Sequence, residues 1–147
     1  MVEQINQYKD VFTEKYYPAD GYLQNIKKSA FVFNTPAAWA CHGWKLGEYL
    51  AMGKAIISTP FVNEMPEKMV HGENIYFVET ESEMIDAVNI LLSDHKLREK
   101  LEIGAKDYYN KWLKPDIVIR RIINELQLKQ NSSSLTPPPT PAVPAGG

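Results

Sequence analysis

The chain has 147 residues, 44% of them hydrophobic and 23% charged, which is ordinary globular usage at the length of one domain. A net charge of -2 and a pI near 5.9 leave no basic footprint for nucleic acid, and no apolar run reaches membrane-spanning length. Cys41 is the single cysteine, so no internal disulfide can form, and the opening MVEQINQYKD lacks the apolar stretch of a signal peptide.

In chain order, Ile5, Tyr8, Phe12 and Tyr16 fall at helical spacing and predict an amphipathic helix over 2–16, inside an N-terminal segment 1–19. Asp20 is placed to cap a helix running to Lys28. The run AFVFN, Ala30 to Asn34, reads as a buried strand, and Pro36 in the following TPAAWACHG bars an early helix start. A two-turn helix is expected from Trp44 to Met52, with Gly53 as its left-handed cap. KAIIS, ending at Ser58, shows no alternation, as expected of a strand covered on both faces.

Beyond Thr59-Pro60 a loop leads to a short helical turn around Pro66 to Val70, and His71-Gly72 turns into a third strand, NIYFV, over 74–78. Thr80 and Glu83 make a capping-box pattern before a helix with Met84, Val88 and Leu91 on one face. Asp94 caps the next, whose stripe is Leu97, Leu101, Tyr108 and Trp112, until Pro115 breaks it. A last helix from Asp116 carries Ile119, Ile122, Ile123 and Leu126. From Asn131 the uncharged NSSSLTPPPTPAVPAGG reads as a disordered tail, in which Pro138 and Pro141 form a PxxP that reads as a linker.

Strands alternating with helices predict an α/β fold with a parallel sheet. Three strands are few for one, so the expectation is a partial, Rossmann-like, doubly wound sheet over 20–130, completed by a missing N-terminal domain or a partner chain. Ligands bind such sheets beyond the carboxyl ends of their strands, which directs attention to the loops after Asn34, Ser58 and Val78. The first loop enters a helix at Trp44. Free N–H groups and the positive dipole end suit a phosphate there, with Gly43 allowing close approach and His42 and Lys45 beside it. Many helices begin this way, so the residues alone leave phosphate binding and a plain solvated helix start both open.

GEYLAMGKAIIST, followed by MPEKMVHGENIYFV, resembles the C-terminal domain of retaining GT-B glycosyltransferases (the group 1, family 4-like enzymes). Glu48, Ala51, Gly53, Ile56 and Ile57 match one family element, and Pro66, Glu67, Val70, Gly72 and Asn74 match a second. The likeness runs on through LLSDHKLREKLEIGAKDYYNKW and covers roughly residues 20 to 127. It implies that Glu48 accepts hydrogen bonds from the nucleotide ribose, and that His42, Gly43, Trp44 and Lys45 lie against the diphosphate, where developing charge is stabilised. Glu67 is the remaining donor-site candidate, alongside service to its own helix end.

Departures from the family pattern are also visible. The relatives' Gly-Phe-Gly is here His42-Gly43-Trp44, and the position eight before Glu48, a glutamate in the family, is Ala40. No stretch matches the Arg and Lys that neutralise the diphosphate early in the domain. The reading is therefore the nucleotide-sugar-binding portion of a glycosyltransferase that moves sugar from an NDP-sugar to a hydroxyl acceptor. Polysaccharide or glycolipid synthesis is the expected setting, with inactivity alone.

The competing reading is a non-catalytic, degenerate Rossmann-like module. A receiver domain is dismissed because no aspartates cluster after the first strand. No metal or other cofactor is expected; His71 and His95 lack ligands at metal spacing, and Cys41 beside His42 makes no dyad. Trp44 and Tyr49 are expected in the core. The expected location is cytoplasmic, or peripheral to the inner face of the membrane.

Overall fold

The computed structural model describes residues 16–133; the helix expected over 2–16 and the tail beyond Ser133 lie outside the described residues. The elements run α1 (Ala19–Lys28), β1 (Val32–Asn34), α2 (Trp44–Met52), β2 (Ile56–Ser58), β3 (Tyr76–Phe77), α3 (Glu81–Ser93), α4 (His95–Tyr108) and α5 (Pro115–Ser133). A 3-10 turn spans Ala38–Ala40, and a π-turn, Tyr109–Leu113, follows α4. The strands form one parallel sheet in the order β1-β2-β3, with Val32 opposite Ile56 and Ile57 opposite Tyr76. Parallel neighbours require long crossovers, and α2 supplies the first of them. This is a mixed α/β architecture of partial Rossmann-like form.

The run of two isoleucines in β2 is explained by cover on both faces. Successive side chains of a strand point to opposite sides. Ile56 joins Leu46, Leu50, Ile75 and Tyr108 in one core cluster, whereas Ile57 joins Val78, Ala87, Leu91 and Leu101 in another. Helix α4 serves both, through Leu101 on one side and Ala105 with Tyr108 on the other. The second face is covered less well at β1, where Phe33 is 46% exposed beside Phe31.

Helix ends follow local chemistry. Thr80 Oγ1 accepts from Glu83 N–H at 3.2 Å, and Glu83 Oε2 accepts from Glu79 N–H at 2.7 Å, one residue earlier than the usual reciprocal bond. Asp94 caps α4 by accepting from Leu97 N–H at 2.9 Å. Gly53 ends α2 at φ 63°, the left-handed geometry for which glycine has no steric cost.

Several expectations are corrected. Pro18, not Asp20, occupies the cap position of α1, and Asp20 lies in its first turn, where a carboxylate favours the dipole. Residues Pro66 to Val70 form no helix, because their backbone is held by tertiary bonds described below. Trp44 is 72% exposed rather than in the core, while Tyr49 is buried as expected. Pro115 itself starts α5, since its fixed φ suits the first helical position. Ile119, Ile122 and Ile123 of that helix are exposed, and it continues through Ser133.

Candidate functional site

The loop between β1 and α2 is built by its own backbone. Ala37 N–H donates to Cys41 O at 2.9 Å, closing the 3-10 turn, and within it Trp39 and Ala40 take φ of 61° and 57°. Two consecutive non-glycine residues in the left-handed region cost roughly 1–2 kcal/mol each. An anchor from the loop after β2 opposes that strain: Asn63 Nδ2 donates to Ala40 O at 2.9 Å. Trp39 at the apex is 94% exposed.

The chain then enters α2. Gly43 is the N-cap residue, with φ -64° and ψ 148°, and no side chain caps the helix. The first N–H groups therefore lack the usual side-chain acceptor. Nothing lies within 4 Å of where a Cβ on Gly43 would stand, so packing does not demand glycine here. A cleft of about 320 Å³ opens at this point, between Phe33, Asn34 and Thr35 at the end of β1 and Gly43, Trp44 and Lys45 at the start of α2. It sits at the carboxyl end of a parallel strand, where sheets of this kind take ligands. Asn34, which lines it, belongs to a buried polar pair: Asn34 Nδ2 donates to Ser58 Oγ at 2.9 Å, and Ser58 Oγ donates to Thr59 O at 2.8 Å.

One turn into α2, Glu48 is half-buried, and its Oε2 is sealed from solvent without a hydrogen-bond partner. The Tyr22 hydroxyl on α1 is equally sealed and unpaired. Burial, then the neighbouring Tyr49 hydroxyl and Glu48 carboxylate, push the Tyr22 phenol well above its usual pKa. The Tyr22 ring also lies against Trp44, with centroids 6.4 Å apart.

His42 lies elsewhere. Its ring stands edge-on to Phe61 at 4.9 Å, Phe61 in turn meets Phe77 at 5.4 Å, and Nε2 is buried without a partner. Phe61 and Phe77 line a second hollow of about 490 Å³ with Met65, Lys68 and Met69. Glu67 is exposed and lines neither hollow. Its Oε1 accepts from Lys68 N–H at 3.1 Å, and its backbone is gripped by Tyr108, whose hydroxyl donates to Glu67 O at 2.6 Å and accepts Glu67 N–H at 3.3 Å. Burial raises the Tyr108 phenol above its ordinary pKa.

Gly43, Trp44 and Lys45 are thus brought together at one cleft, with Glu48 a turn beyond; His42 sits behind Phe61, and Glu67 stands apart. Sequence reasoning missed Asn34 and Ser58, although each is a lone polar residue ending an apolar strand run. It also missed Tyr22, for which no sequence signal exists. Among the described residues, no three His, Cys, Asp or Glu side chains converge as metal ligands, and no helix is long and apolar enough to cross a membrane. His71 Nδ1 instead accepts from Phe77 N–H at 3.0 Å, and His95 meets Arg98.

A parallel, Rossmann-like sheet with a cleft at the carboxyl end of β1 defines a partial Rossmann-like α/β class. Residues 1–108 match the family described as Glycosyl transferases group 1. That match spans well over half of the chain, which belongs to this family. No curated protein and no solved structure matches.

Proposed function

We propose that this chain is the nucleotide-sugar-binding part of a retaining, GT-B-type glycosyltransferase. It would bind an NDP-sugar and pass the sugar to a hydroxyl acceptor in the synthesis of a polysaccharide or glycolipid. The observation that carries the reading is the cleft at the uncapped start of α2, in a chain of the glycosyltransferase group 1 family. Backbone N–H groups from Gly43 onward and the Lys45 ammonium suit the diphosphate, and the Glu48 carboxylate suits the ribose diol. As the glycosidic bond to the sugar breaks, negative charge accumulates on the diphosphate. Donors already in place there favour the transition state over the ground state.

Ala40 supplies no side-chain acceptor at the position where the family resemblance places a glutamate. Turnover is therefore assigned to an assembly in which a further domain or partner chain brings the acceptor and the remaining diphosphate contacts. Calorimetric titration of the chain with UDP, GDP and ADP tests the binding step. One nucleotide should bind, and Glu48→Ala should weaken it by about tenfold or more, the loss of a hydrogen bond to a charged group. Equal affinity in the variant contradicts the role given to Glu48.

A further inference from the structure

We propose that Tyr22 is a positioning residue that holds the Glu48 carboxylate for a ligand's vicinal diol and thereby sets discrimination between ribo- and deoxyribonucleotides. The inference rests on the nucleotide reading of the site. Trp44 and Glu48 are four residues apart on α2 and so share one helix face. Tyr22 reaches both: its ring packs on Trp44, and its hydroxyl lies beside Glu48. The Tyr22 side chain is carried by the first turn of α1, where Tyr22 N–H donates to Pro18 O at 2.9 Å.

Of the two carboxylate oxygens, only Oε2 is sealed and unpaired, and the Tyr22 hydroxyl, a neighbour of Glu48, is equally sealed and unpaired. Buried polar atoms of this kind call for an explanation, because most in folded proteins find a partner. The proposed bond runs from the Tyr22 O–H to Oε2. A phenol keeps that proton at neutral pH. Oε1 is then left as the acceptor for the ligand. A deoxyribonucleotide, with one hydroxyl fewer, gains less from a carboxylate so aligned.

The test uses the full chain, whichever of UDP, GDP or ADP binds, and its 2′-deoxy counterpart. Tyr22→Phe should lower ribonucleotide affinity roughly tenfold, the loss expected when a charge-assisted bond is removed. The deoxy form should change little, so the ribo-to-deoxy ratio falls. In a Glu48→Gln background, Tyr22→Phe should have no further effect on that ratio. Should the phenylalanine variant melt earlier, the ratio measured below its melting temperature still decides. A ratio unchanged by Tyr22→Phe but abolished by Glu48→Ala overturns the proposal and leaves the Glu48 reading intact. Absence of saturable binding to the unaltered chain overturns both.

Discussion

Three polar atoms near α2, Tyr22 Oη, His42 Nε2 and Glu48 Oε2, are buried without partners. As they stand, with the Tyr22 hydroxyl not yet turned onto Glu48 Oε2, each costs about 1–3 kcal/mol of desolvation that a well-paired core would avoid. Such costs persist where function needs them, and removing them tends to stabilise the fold at the expense of activity. Glu48→Gln should accordingly leave the melting temperature unchanged or raise it while nucleotide binding falls; a lower melting temperature with intact binding contradicts this account. The two tyrosines give a pH signature. Tyr22 and Tyr108 both have phenols raised above the ordinary value of 10.0, chiefly by burial, so the folded state holds their protons more tightly than the unfolded chain does. That stability is fully present below pH 10.0 and is lost as pH rises above it toward the folded values. Denaturant titrations at neutral and strongly alkaline pH should show a loss at high pH that shrinks in Tyr108→Phe.

At the scale of elements, what was legible in the sequence is what local chemistry decides. The caps at Thr80 and Asp94 and the left-handed Gly53 depend only on neighbouring residues, and all three form as expected. Removing either cap, as Thr80→Ala or Asp94→Ala, should cost about 1 kcal/mol in denaturant unfolding. The segment Pro66 to Val70 was misread because its partners are distant. Tyr108 takes the Glu67 backbone and Asn74 Oδ1 accepts Val70 N–H at 2.9 Å, so no helical bonds are needed there. Trp44 was misread for a related reason: helical spacing shows which residues share a face, not whether anything covers it. Gly104 carried no local signal at all. A Cβ there would meet the Glu73 carbonyl oxygen at 2.1 Å, so α4 and the loop before β3 approach as closely as glycine permits. Gly104→Ala should destabilise by about 1–3 kcal/mol, the range for overpacking; a neutral outcome would mean that this loop yields freely.

For the whole molecule, the α/β class and the three-strand parallel sheet were legible because Ile56 and Ile57 demand burial on both faces, and both receive it. The candidate site was legible in part: Gly43, Trp44 and Lys45 follow from sequence position relative to β1, whereas the separation of His42 and Glu67 depends on how Phe61 and Tyr108 pack. Phe33 on the edge strand and the Ile119, Ile122, Ile123 and Leu126 stripe of α5 are among the apolar features left uncovered. Because the stripe is exposed, Ile122→Gln should change the stability of the chain by less than about 0.5 kcal/mol, as surface substitutions do.

The central claim is that a nucleotide site survives at the start of α2. It is tested most directly by two-dimensional NMR of the full chain titrated with UDP, GDP and ADP in turn. Saturable shifts at Gly43, Lys45 and Glu48 for one nucleotide, lost in Glu48→Ala, are the predicted result. A dispersed spectrum unmoved by all three at millimolar concentration, or shifts confined to Met65 and Lys68 around the larger hollow, would contradict it.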